Sequence, residues 1–136
     1  MIELDDLIGK PFASEPELSY GPHSYSCYGL VWEIYRRMGI DIPKTNISVT
    51  ACCNASNKEI LSHAQKYWNQ LKEPRVPCAV LIKSTNQDYA NHIGVLVEKN
   101  KIVHITINRN VVVDNLSLWK HKIIGYYEYV GNCRNN

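Results

Sequence analysis

The chain has 136 residues, of which 45% are hydrophobic and 21% charged, and its formal net charge is +2. These values are typical of one globular domain covering residues 1–136, and so small a net charge argues against a nucleic-acid partner. No stretch reaches the roughly 20 apolar residues that a membrane-spanning helix needs. The first residues, MIELDD, lack the basic and apolar regions of a signal peptide, so we expect synthesis in the cytoplasm.

The cysteines and histidines do not show the spacing of a disulfide framework or a metal site. The five cysteines, at positions 27, 52, 53, 78 and 133, are odd in number, and the adjacent Cys52 and Cys53 rarely bridge each other. Neither Cys-x-x-Cys nor His-x-x-x-His occurs. We therefore predict reduced thiols, no metal and no other cofactor.

The predicted helices lie in the first half of the chain. A short helix is expected over Leu4 to Ile8, and residues 11–26, rich in Pro, Ser, Tyr and Gly, predict an ordered loop. From Cys27 to Met38, apolar residues recur at the i, i+3, i+4 spacing of an amphipathic helix, which Gly39 ends. A second helix is predicted from Ser56 or Asn57 to about Leu71.

The second half is rich in Val, Ile and Tyr, which favour strands. Turn residues divide it into five predicted strands, over Cys78 to Lys83, His92 to Val97, Ile102 to Ile107, Val111 to Val113 and Ile123 to Val130. A short helical turn is predicted around Leu116 to Trp119. Helices first and strands afterwards predict an α+β domain with a mostly antiparallel sheet.

Cys27, His92 and His104 are candidates for nucleophilic catalysis. Cys27 begins the first long helix, where the positive end of the helix dipole favours a thiolate. A histidine nearby would accept the thiol proton, and a second polar group would orient that histidine. The alternative, from residue types alone, is a buried structural cysteine and two ordinary strand histidines.

The two histidines share a face of the predicted hairpin only for certain loop geometries. A two-residue turn at Lys99–Asn100 separates them, whereas a three- or five-residue loop, or one bulge, brings them together. Gly94, inside the first of these strands, indicates close approach of another element. That element is expected to be the Cys27 helix packing over the sheet, with a bulge glycine as the alternative.

Three segments together carry a resemblance to a known family: SCYGLV at 26–31, HIGV at 92–95 and IVHI at 102–105. In order and spacing they are similar to the motifs of NlpC-type peptidases, papain-like cysteine enzymes that cleave the peptide stems of bacterial peptidoglycan. The resemblance covers roughly residues 5–130. It implies a papain-like α+β fold, with N-terminal helices packed on a mostly antiparallel β-sheet.

The resemblance also implies the catalytic roles. Cys27 would be the nucleophile, His92 the general base, and His104 the group that holds the His92 ring. Backbone N–H groups at the helix start, including that of Cys27, would stabilise the oxyanion.

This chain departs from the family pattern at three places, one of which is the stretch from Pro77 to Ala79, where the usual acidic residue of the strand preceding His92 is replaced. Ser26 replaces the acidic residue that usually precedes the cysteine, and Phe12 takes the place of an upstream tyrosine. We predict that Tyr20, Tyr25 and Tyr28 line the substrate site, with Tyr20 or Tyr25 supplying the missing hydroxyl.

The aromatic Tyr28 and the segment from Val111 to Tyr127 are similar to the bacteriophage tail assembly branch. We therefore expect a cysteine peptidase or amidase that cleaves an amide of the peptidoglycan stem peptide, with phage tail proteins as further partners. Its expected site of action is the cell wall, reached in a virion or after lysis. The alternatives are a catalytically weakened structural component of a phage tail and an amidase effector delivered to competing cells.

Overall fold

A computed structural model of the chain describes residues 3–44, 67–83, 92–106 and 109–131. Within these residues there is one α-helix, α1 (Cys27–Arg37), and a six-stranded sheet in the order β1-β6-β2-β3-β4-β5 in which every pairing is antiparallel. The strands are β1 (Trp68–Leu71), β2 (Cys78–Ile82), β3 (His92–Glu98), β4 (Lys101–Thr106), β5 (Arg109–Asn115) and β6 (Ile123–Tyr129). The predicted α+β class and the five predicted strands are confirmed.

The helix α1 forms where the sequence predicts it, and its two ends are stabilised by local contacts. Ser26 is the N-cap, and its Oγ accepts a hydrogen bond from Gly29 N at 2.9 Å. Gly39 follows the C-terminal end with φ 81°, a left-handed conformation that favours glycine. Between these ends, Leu30, Val31 and Ile34 are buried against the sheet, as the apolar spacing predicts.

The predicted helix over Leu4 to Ile8 is wrong, because the segment forms hydrogen-bonded turns instead. The segment lies against the edge strand β5, where Gly9 N donates a hydrogen bond to Val111 O at 2.9 Å. Arg37 of α1 also binds the Asp6 carboxylate at 2.7 Å. These non-local contacts outweigh the weak helix preference of so short a segment.

The second predicted helix is wrong at its C-terminal end, where Trp68 to Leu71 form β1. Tyr67, just before β1, is helical, and the earlier residues of the predicted helix lie outside the described residues. Trp68 pairs with Tyr129 of β6, and its ring packs edge-on to both Tyr35 and Tyr129, with centroids 5.4 and 5.3 Å apart. This aromatic packing, which needs residues distant in the sequence, fixes the segment as a strand.

The sheet separates the core into two layers. Odd-numbered residues of β2, β3 and β4, such as Leu81, Val95 and Val103, belong to the same apolar cluster as α1. Even-numbered residues form a second cluster with Leu116 and Trp119, in the segment of 3₁₀ turns before β6. The helical turn predicted around Leu116 is thereby confirmed. In the parts of the chain described here, no helix combines the length and apolar character needed to span a membrane.

Candidate active site

His92 and His104 lie on the same face of the β3–β4 hairpin because the hairpin contains a bulge. The turn has two residues, Lys99 and Asn100, and alone would place the histidines on opposite faces. The pairing register shifts between Leu96 and Glu98, so that Val97 is an extra residue on β3. The prediction that one bulge would bring the two histidines together is confirmed.

Gly94 makes room for His104 rather than for the helix. A Cβ atom built on Gly94 would lie 3.0 Å from the Cβ of His104 and 3.0 Å from Cδ1 of Ile102, both on β4. The prediction that α1 is the approaching element is wrong, because even-numbered residues of β3 point away from the helix layer. The bulge itself lies elsewhere, at Val97.

The two histidine rings are joined in a hydrogen-bond chain that ends on a carboxylate. Nε2 of His92 lies 2.9 Å from Nδ1 of His104, and Nε2 of His104 lies 2.8 Å from Oδ2 of Asp114 on β5. His92 and His104 are 7% and 0% exposed, so the chain is shielded from water. Hydrogen bonds in such surroundings hold both rings in one orientation.

Trp119, which packs against the second apolar cluster, covers the hydrogen-bond chain of His92, His104 and Asp114. Its ring packs edge-on to His104, with centroids 4.8 Å apart, and its Nε1–H donates to Asp114 Oδ2 at 3.1 Å. Arg109, an exposed side chain, approaches the same oxygen at 3.5 Å. The partly buried carboxylate therefore accepts from several donors.

Sequence reasoning did not identify Asp114 or Trp119 as site residues. On β5, His104 pairs with Val112, which places Asp114 two residues further along on the same face. An acidic residue at that position is the signal that would have identified the interaction. It becomes readable only once the register of β5 against β4 is known.

Burial keeps the histidine pair neutral. It lowers the pKa of His92 to about 3, with a further contribution from the neighbouring His104. Burial also lowers the pKa of His104, and the hydrogen bond and charge of Asp114 only partly oppose this. For Asp114 burial acts upward, but the hydrogen bonds from His104 and Trp119 leave its pKa below the ordinary value. At neutral pH the group consists of two neutral imidazoles and an ionised carboxylate.

Cys27 is the first residue of α1, as predicted, and is 3% exposed. It belongs to the helix-side cluster, whereas the histidines point to the opposite layer. Cys27 and His92 each begin their element, so any contact between them is made at an end of the sheet. His92 forms a hydrogen bond with His104, and a contact between Cys27 and His92 stays a prediction.

The second described thiol, Cys78 on β2, provides a contrast. It is fully buried, and burial raises its pKa, so it stays a protonated thiol. Cys78 also lacks the helix N-terminus that favours a thiolate at Cys27.

Ser26, which replaces the family's acidic residue, has a structural role at the start of α1. Its side chain caps the helix through Gly29 N. Phe12, which we expect to take the place of the family's upstream tyrosine, is half-buried and forms a parallel bridge with Tyr25. Neither side chain brings a carboxylate or a phenol hydroxyl to the site.

The three tyrosines predicted to contact substrate differ in exposure. Tyr25 and Tyr28 are buried, and the Tyr28 hydroxyl donates to Pro43 O at 2.6 Å. Tyr20 is half-buried, packs edge-on to Trp32 at 5.4 Å, and lies beneath the Lys44 ammonium at 4.8 Å. Substrate contact by these residues stays a prediction, and Tyr20 is the least buried of the three.

In the described segments, no group of three or more His, Cys, Asp and Glu side chains is arranged to hold a metal ion. Nε2 of His92 and Nδ1 of His104 lie within hydrogen-bond distance of each other. Two imidazoles joined in this way are suited to proton transfer.

A helix that begins with a cysteine and packs on an antiparallel sheet carrying two paired histidines defines a papain-like α+β domain. The sequence model of the NlpC/P60 family matches residues 15–128, and the chain belongs to this family. No curated protein sequence matches the chain.

Solved structures with the same fold include three NlpC/P60 proteins. A lipoprotein-like family member from Staphylococcus aureus superposes with a TM-score of 0.63 at 19% identity, covering 95% of this chain and 39% of the other. A Bacillus cereus family protein superposes with a TM-score of 0.59 at 14% identity, covering 94% of this chain and 40% of the other. The NlpC/p60 domain of the peptidoglycan hydrolase SagA superposes with a TM-score of 0.56 at 13% identity, covering 90% of this chain and 89% of the other. The chain thus spans about two fifths of the length of the first two proteins.

Proposed function

We propose that this protein is a cysteine peptidase or amidase that cleaves an amide bond in the peptide stem of bacterial peptidoglycan. The observation that carries the proposal is the buried His92–His104 hydrogen bond, within a family whose motif starts a helix with a cysteine. The similarity in fold to the peptidoglycan hydrolase SagA supports this choice of substrate. Cys27 is the nucleophile, His92 the base, and His104 the positioning residue.

The reaction proceeds through an acyl-enzyme. His92 takes the proton from Cys27 Sγ through Nδ1, the ring nitrogen that does not face His104, and the thiolate attacks the amide carbonyl carbon. The N-terminus of α1 stabilises the resulting oxyanion, and the imidazolium then protonates the leaving amine as the C–N bond breaks. Water, deprotonated by His92, hydrolyses the thioester, and the proton returns to Cys27.

We expect Cys27→Ala to abolish hydrolysis of purified peptidoglycan, because the variant lacks the thiol that forms the acyl-enzyme in the proposed reaction. The measurement is the release of free amino groups together with mass spectrometry of the soluble fragments. Cys78→Ala is the matched control. Cys78 on β2 pairs with Leu96, which lies four residues from His92 on β3. The Cys78→Ala variant should therefore retain activity. Equal activity of wild type and Cys27→Ala, or no fragment release by wild type, would contradict the proposal.

The proposal includes delivery of the enzyme by a phage tail. The support is the aromatic Tyr28 after the cysteine and the segment from Val111 to Tyr127, both similar to phage tail assembly proteins. We expect purified virions to contain the chain, detectable by mass spectrometry. Virions that contain it without cell-wall hydrolysis would favour the structural tail component, and its absence from virions would favour another route, such as delivery to competing cells.

A further inference from the structure

The hydrogen-bond chain of the two histidines continues to Asp114, a residue with no role in the proposed reaction so far. We propose that Asp114 is a positioning residue that fixes which nitrogen of each histidine carries the proton, so that His92 presents a bare Nδ1 to the thiol. This inference rests on the proposed function for its catalytic meaning. Its structural content, the protonation pattern of two rings, stands apart from activity.

The pattern begins at the carboxylate. Asp114 is ionised and can only accept hydrogen bonds, so the 2.8 Å contact requires a proton on His104 Nε2. Trp119 Nε1–H and the Arg109 guanidinium also approach Oδ2, and both groups are donors only. These three donors favour the ionised form of Asp114.

The pattern then passes from ring to ring. A neutral imidazole carries one proton, so a proton on His104 Nε2 leaves His104 Nδ1 as an acceptor. The 2.9 Å contact between the rings then requires a proton on His92 Nε2. His92 in turn keeps a lone pair on Nδ1, which is the form that a general base needs.

Without a carboxylate at position 114, the opposite pattern becomes equally available. A proton on His104 Nδ1 would be donated to His92 Nε2, and the proton of His92 would then sit on Nδ1. The inter-ring distance would be the same in both patterns, but the second pattern cannot accept a proton from Cys27. Because both rings are buried, water cannot carry a proton between their nitrogens and so restore the first pattern.

The test is the Asp114→Asn variant, studied by long-range ¹H–¹⁵N correlation spectra of the histidine rings. An asparagine amide can donate to His104 Nε2, and so permits the opposite pattern at nearly unchanged shape. We expect both wild-type rings to carry the proton on Nε2, and the variant to move a large fraction to Nδ1. Peptidoglycan hydrolysis should fall by up to roughly 10⁴-fold, the size of the loss when an Asp-to-Asn change in a catalytic triad allows the wrong tautomer.

Glu128→Gln is the matched control, because it removes one carboxylate charge from a strand side chain that pairs with Arg75 away from the histidines. It should leave both the ring spectra and the activity unchanged. A wild-type His104 protonated on Nδ1 would overturn the inference without any variant, as would an Asp114→Asn spectrum equal to that of wild type. If the ring protons shift as expected but wild type hydrolyses nothing, the proposed function fails and the assignment of Asp114 stands.

Discussion

Gly29→Ala is expected to be the most destabilising single-methyl substitution in α1. A Cβ atom at this position would lie 1.8 Å from the carbonyl oxygen of Ser19, a backbone atom that accepts a hydrogen bond from Ser26 N at 3.0 Å. Because backbone cannot move aside as a side chain does, either the loop or the helix start must shift. We expect a loss of roughly 3–5 kcal/mol in the free energy of unfolding, measured by urea titration.

Gly39→Ala is the matched control at the other end of the same helix. Gly39 has φ 81°, but a Cβ atom there would meet nothing within 4 Å. Its substitution should therefore cost only the conformational strain, about 1 kcal/mol. Equal losses for the two variants would show that the Ser19 loop does not pack against Gly29 as described.

Stability is expected to fall as the pH is lowered from about 6.5, the ordinary pKa of an unfolded histidine. Burial lowers the pKa of His92 to about 3 and also lowers that of His104, so the unfolded chain binds protons that the folded chain does not. The contribution of these groups is complete above pH 6.5 and is lost as the pH falls towards their folded-state pKa values. Each histidine that stays neutral costs up to about 1.4 kcal/mol per pH unit in this window.

Urea titrations at pH 7.0, 6.0 and 5.0 measure this effect. The carboxylates with lowered pKa values, such as Asp114, titrate mainly below this range and add little to the slope. The slope should be much reduced in a His92→Gln, His104→Gln double variant and unchanged in His121→Asn, which replaces an exposed histidine. A wild-type slope equal to that of the double variant would contradict the buried, neutral state of the pair.

Local patterns predicted α1 and most strands correctly, whereas distant contacts decided the elements that were missed. The apolar spacing of Cys27 to Met38 and Gly39 after it are sufficient to define a helix. Trp68 and Leu71 fit the spacing of a helix equally well, and only the pairing of Trp68 with Tyr129 makes that segment a strand. Such a pairing cannot be read from a window of a dozen residues.

The site was predictable to the same extent. The family motifs make Cys27, His92 and His104 the candidate residues, and strand alternation predicts the geometries in which the two histidines meet. Asp114 was missed because its position depends on the register of β5 against β4. Trp119 was predicted as part of a helical turn, and its contacts with His104 and Asp114 depend on how that turn packs against β4 and β5.

The extra residue at Val97 restricts how the β3–β4 hairpin can change in length. Removing or adding one residue between the histidines would turn His104 towards α1 and separate it from both His92 and Asp114. Removing or adding two residues would leave all three side chains on one face. Relatives that keep this arrangement should therefore differ in the number of residues between the two histidines by even steps, unless a second bulge compensates.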